Sequence, residues 1–221
     1  MKKLILAAIT LTSAASVFAQ GTVIFNTRLG ATTHVWGADP GTPAPYLQGN
    51  SSNDNPVGAT IYTGYTLIGA GGTGGKYGAA TTLATLLAAP GSNAAESSLL
   101  PASSPPSSFR TGAAAGNVVA STATLAGVAP DAPVATLEMV AWDNSTGLYP
   151  TWAQASVAIA GNIIAGGRSA PFIVNSIGGQ VNQAPTLDNL RSFGIGIIPE
   201  PTTAALVGLG AAAMLIFRRR K

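Results

Sequence analysis

The stretch PVATLEMVAWDNSTG, residues 133–147, carries the clearest pattern in the chain. Residues 134–142 are aliphatic, aromatic, sulfur-bearing or β-branched at every position except Glu138, and the run stops at Asp143-Asn144-Ser145-Thr146-Gly147. An apolar and β-branched run bounded by turn-forming residues predicts a strand. Residue types of this kind fit a pleated, mostly buried surface, so this strand is expected near the middle of a sheet.

Outward from it, further short runs repeat the pattern. Residues 117–125, 155–164 and 169–177 read as strands separated by Gly, Pro and Asn, and 190–198 (LRSFGIGII) reads as the last strand. Near the start, 22–28 (TVIFNTR) is a first strand, and 57–68 (VGATIYTGYTLI) alternates as a half-buried strand or hairpin would. Segments 37–56, 69–78 and 92–106 are rich in Gly, Pro, Asn and Ser and read as loops. Only 81–89 (TTLATLLAA), closed by Pro90-Gly91, predicts a helix in the body of the protein. Short strands at this spacing predict an all-β fold, a single β-sandwich or jelly-roll-like domain. No period recurs, which excludes a solenoid or propeller, and Trp142-Asp143 stands alone rather than as a WD repeat.

The two ends have a different character. Lys2 and Lys3 precede a short apolar run, and Val17-Phe18-Ala19 ends the segment 1–19. That order is a secretory signal peptide helix, too short to span a bilayer, with cleavage expected between Ala19 and Gln20 by signal peptidase. At the other end, Pro199-Glu200-Pro201 leads into 202–217, which holds no charge, and then into Arg218, Arg219, Arg220 and Lys221. Sixteen residues make about 24 Å of helix at ~1.5 Å each, a slightly short transmembrane helix that snorkelling arginines extend. The basic cluster is expected to stay cytoplasmic while the signal peptide sends the body outward. Residues 20–198 are then the exported domain and 199–221 the tail. An ordinary tail anchor is the alternative for this end.

Setting the ends aside changes the meaning of the basic balance. Of 11 Lys and Arg, six lie in the two terminal segments. The body keeps Arg28, Lys76, Arg110, Arg168 and Arg191 against seven acids, a net of −2. No basic patch is left for phosphates, so nucleic acid is not an expected partner. With no cysteine, the exported body must rely on its own core rather than on disulfides.

Taken in order, a signal peptide, a Pro199-Glu200-Pro201 tripeptide, a short apolar segment and an arginine-rich end resemble the PEP-CTERM sorting signal of Gram-negative bacteria. That resemblance implies processing by an exosortase, a membrane-embedded transpeptidase-like enzyme that recognises the tripeptide. The body also resembles the cargo of a PEP-CTERM group common in Verrucomicrobia, through GTVIFNTR, VGATIYTG, SSFRTGAAAGNVV, PVATLEMVAWDNSTG and LRSFGIGIIPEP, with 81–105 standing out as an insertion. It implies an address and an architecture, and no chemistry.

Candidate chemistry in the body is sparse. His34 is the single histidine, and no G-x-S-x-G elbow accompanies it, so it reads as a strand or loop residue rather than a triad base. The acids Asp39, Asp54, Glu96, Asp131, Glu138, Asp143 and Asp188 supply the only carboxylates for hydrolysis. Glu138 and Asp143 are five apart on one strand and point to opposite faces, a poor acid/base couple. Gly69-Ala70-Gly71-Gly72-Thr73-Gly74 fits a dinucleotide fingerprint by letter, but no βαβ unit surrounds it, so it reads as a flexible loop. Asn50, Asn53, Asp54 and Asn55 hold one carboxylate among them and read as a turn rather than a Ca²⁺ site. Trp36, Trp142 and Trp152 with Tyr149 read as core aromatics, and as a sugar platform if exposed. The expectation is a non-enzymatic cell-surface or extracellular-matrix protein without catalytic residues, cofactor or metal. Its alternatives are a carbohydrate-binding module for extracellular polysaccharide, using Trp142 or Trp152, and a secreted hydrolase using Glu138 or Asp143.

Overall fold

In a computed structural model the described residues are 20–39, 42, 47–71 and 77–197. The signal peptide at 1–19, its junction at Ala19, and the tail from Pro199 to Lys221 lie outside them. The described body is all-β, with one short helix.

The long run quoted above forms β7 (Val134–Asp143), the middle of the largest sheet. Along its whole length β7 pairs antiparallel with β4 (Thr82–Pro90), from Thr82↔Asp143 to Pro90↔Ala135. On its other side it pairs in turn with β9 (Phe172–Asn175) and β8 (Gly166–Arg168), and β5 (Leu100–Pro101) edges β4. A ribbon of β1 (Gly21–Phe25) and β6 (Ser121–Leu125) pairs antiparallel. A third sheet runs β10 (Phe193–Ile195), β2 (Val35–Ala38), β3 (Tyr65–Leu67), with β10 and β2 parallel. A bridge between Gly166 and Gly196 joins it to the large sheet.

Each face of β7 is covered by a different partner. Ala135, Leu137, Met139 and Ala141 point into the main core, where they meet Val23, Phe25, Ala123 and Leu125 of the ribbon and Phe193 and Ile195. Val140 and Trp142 point the other way, toward the helix α1 (Trp152–Ala160), whose Ala155 and Ala158 are buried against them. Burial on both faces explains why β7 reads as a continuous apolar run instead of an alternating one.

Two elements differ from the expectation. Residues 81–89 form a strand, not a helix, because β4 lies between β5 and β7 and is buried along nearly all its length. A short Leu/Ala run has the same apolar content in either state, and tertiary pairing overrides the helical preference of its residues. Conversely, 155–164 is mostly helix, not strand. Thr151 caps it in a reciprocal box with Gln154, a T-x-x-Q start signal visible in the sequence. Of 57–68 only Tyr65–Leu67 is a strand, and Phe193–Ile195 and Phe172–Asn175 are shorter than the runs that predict them. The 92–106 segment is tied down, with Ala102 N–H bonding Leu86 O, Ser103 N–H bonding Thr124 O, and Ala94 N–H bonding Thr136 Oγ1.

Candidate functional site

His34 immediately precedes β2, where Val35 turns into the main core and His34 and Trp36 turn to the opposite side. Its Nδ1 lies 2.5 Å from Asp54 Oδ1. Asp54 Oδ2 accepts from Ser51 N–H at 2.5 Å and from Ser51 Oγ at 2.8 Å. Ser192 Oγ accepts from His34 N–H at 2.8 Å and also bonds the Asp54 carboxylate. Burial alone raises the Asp54 pKa, but the bonds from His34, Ser51 and Ser192 outweigh it and hold the group below the usual value. Asp54 is therefore an anion sealed in the fold and fully hydrogen-bonded. Asn50 completes the fastening, accepting from Ser192 N–H and donating to Pro56 O.

An aromatic stack adjoins this pair. Trp36 lies parallel to Tyr62 at 4.8 Å between ring centroids, and Tyr62 meets Tyr65 edge-on at 5.9 Å. The His34 ring stands edge-on to Trp36 at 6.4 Å. Tyr62 donates to Gly49 O, and burial, then the nearby Asp54 charge, pushes its phenol pKa up, so it stays neutral. The orienting half of a triad is present in His34 and Asp54. Yet the two serines are bonded on the Asp54 side, and among the described residues none is hydrogen-bonded to the other ring nitrogen of His34. The arrangement locks the 49–58 loop onto β2 and the segment before β10.

A second cluster lies on the helix side of β7. Glu138 is fully buried, and neither carboxylate oxygen has a hydrogen-bond partner among the described residues. Arg168 Nε stands 3.5 Å from Glu138 Oε1, while Arg168 Nη1 reaches Glu96 Oε2 at 3.2 Å. Burial pushes Glu138 up to about 7, opposed by Arg168 and assisted by Glu96. Glu138 and Asp143 do face opposite ways, and Asp143 is occupied with Ser145 N–H.

The other sequence candidates are dispersed. Asp131 accepts the N–H groups of Gln180, Val181 and Asn182, and these bonds lower its pKa. Asp39 accepts from Thr66 Oγ1, and Asp188 from Thr186 Oγ1. Asn53 donates to Ser51 Oγ as a turn residue does. Trp142 is buried and donates Nε1–H to Tyr149 O, with Trp152 packed at 5.7 Å, which places this aromatic group in the second core. The glycine-rich segment lies partly outside the described residues, and a strand, β4, follows it where a dinucleotide site needs a helix. Ser51 joins the first cluster locally, three residues before Asp54. Ser192 lies 158 residues from His34 and Arg168 lies 72 from Glu96, so no local motif announces these.

Residues 198–221 match the PEP-CTERM protein-sorting motif. That motif marks an exported protein that transits the membrane and is processed by an exosortase. No curated protein and no solved structure matches the chain.

Proposed function

We propose that this chain is a non-enzymatic exported protein whose β-sandwich-like domain has a structural or interaction role at the cell surface or in the extracellular matrix. The observation that carries the proposal is the sorting motif at 198–221. On this reading signal peptidase cuts between Ala19 and Gln20, the 202–217 run enters the inner membrane, and Arg218 to Lys221 hold the end in the cytoplasm. Exosortase then acts near Pro199-Glu200-Pro201. The body belongs with the Verrucomicrobia-type cargo group by the segments quoted above.

Support for a non-enzymatic role comes from how the reactive groups are used. His34 and Asp54 fasten a loop, Glu138 is sealed, and Asp131 clamps 180–182. Burial of Trp142 weighs against a polysaccharide platform built on that residue. Expression of the full chain in hosts with and without an exosortase tests the proposal. Tail loss and release from the membrane only where the enzyme is present are expected. Identical tail mass and membrane retention in both hosts would reject it.

A further inference from the structure

The chain leaves the fold beside β8, at the end of the large sheet where β7 closes on Asp143. Gly196 pairs with Gly166 in antiparallel sense, N–H to O at 3.1 and 3.2 Å. Antiparallel register sets Ile197, the next residue, beside Ala165. The helix α1 covers the same place, since Ile159 packs directly on Gly166. Its outer face presents Ala153, Gln154, Val157 and Ala160. Val157 is 73% exposed, Ile163 65%, Leu148 in the turn after β7 67%, and Ile197 38%. Between Asp143 and Arg168, residues 144–167 include no charged side chain.

The tail motif begins at this end. The uncharged 202–217 run starts five residues beyond Ile197, a span of at most about 18 Å. Whatever surface that run enters is therefore held within that span of Ile197. We propose that the end formed by Leu148, Val157, Ile163 and Ile197 rests in the interfacial zone of the bilayer while the tail is attached, giving the domain one fixed orientation on the membrane. This inference depends on the reading that 202–217 enters the membrane before processing.

Several features suit a lipid surface. Aliphatic side chains leave water on contact. The carboxylates nearest this end, Asp143 and Asp39, already accept hydrogen bonds from Ser145 N–H and Thr66 Oγ1. Gln154, Asn144 and Ser145 are polar but neutral and keep hydrogen bonds at the headgroup level. The attachment raises the effective concentration of the patch at the surface, so weak intrinsic affinity suffices. Loss of the tail removes that advantage and lets the domain go. Val181, also exposed, lies beyond the opposite end of β7, about 30 Å away along a strand of this length.

The absence of cysteine makes the test clean. Single-cysteine variants Leu148→Cys, Val157→Cys, Ile163→Cys, Val181→Cys and Ala204→Cys of the full chain are labelled with an environment-sensitive fluorophore. They are reconstituted in phosphatidylethanolamine and phosphatidylglycerol vesicles containing a spin-labelled quencher lipid. Blue-shifted emission and several-fold stronger quenching at 148, 157 and 163 than at 181 are expected, with 204 quenched most. Quenching at 204 with 148, 157 and 163 no different from 181 would overturn the orientation alone. An unquenched 204 would reject the membrane reading of the tail and the orientation with it.

Discussion

Arg168 Nε faces Glu138 Oε1 at 3.5 Å across the edge of the central sheet, with Glu138 fully buried and Arg168 reaching solvent. The elements packed around Glu138, β4, β5, β9 and α1, contribute no titratable side chain, so Arg168 and Glu96 are the charges it meets. The folded pKa, about 7, lies above the ordinary 4.5. A raised acid binds its proton more tightly in the folded state. This contribution to stability is therefore fully present below about 4.5 and declines as pH rises to about 7. The loss across that window is on the order of 3 kcal/mol at most. Thermal denaturation should show stability falling from pH 5 to pH 8. Glu138→Gln should flatten that slope and leave the variant more stable than the parent at pH 8.

The His34–Asp54 pair predicts the opposite sign at lower pH. Its depressed carboxyl contributes stability above the ordinary 3.8, and that stability is lost as pH falls through the lower folded value. Removing the partner leaves a buried charge uncompensated, so His34→Ala should cost about 3 kcal/mol. Double-mutant cycles with Asp54→Ala by urea unfolding should give a coupling energy of roughly 1–3 kcal/mol. Hydrogen exchange should show faster exchange in residues 50–58 in either single variant. Independent, additive costs would remove the pair from its fastening role.

Thr151 caps α1 through the box with Gln154. Thr151→Ala should cost about 1 kcal/mol, and Thr151→Ser should restore most of it. Urea midpoints measure both. No change in either would mean that 152–160 is not held as a capped helix.

Gly167 of the large sheet lies against β10, and a Cβ there would collide with Gly194 O. Gly167→Ala should destabilise by roughly 1–3 kcal/mol through forced backbone shift. Gly147, where a Cβ meets nothing within 4 Å, has a φ of +72° and should respond through strain alone. Parallel thermal melts of the two variants separate crowding from conformation.

What could be read along the chain follows from locality. β7 was legible because burial on both faces leaves a continuous apolar run with turn residues at its end. β4 has the same kind of run, yet its Leu and Ala are equally good helix formers, and only its register with β7 decides the state. The start of α1 did leave a local mark in Thr151 and Gln154, masked by the Val/Ile content that follows. The opposite facing of Glu138 and Asp143 came directly from strand periodicity. By contrast, His34 meets Asp54 and Ser192, and Glu138 meets Arg168 and Glu96, only because sheets bring distant segments together. Residue type alone therefore suggests a turn for Asp54 and a strand or loop position for His34.

Intact-mass measurement of the protein recovered from a host with an active exosortase tests the export and sorting account most directly, since one spectrum fixes both ends. The expected species starts at Gln20 and lacks the apolar run 202–217 with Arg218 to Lys221. A species that retains Lys221 in that host, with the exosortase shown to process another substrate, would contradict it.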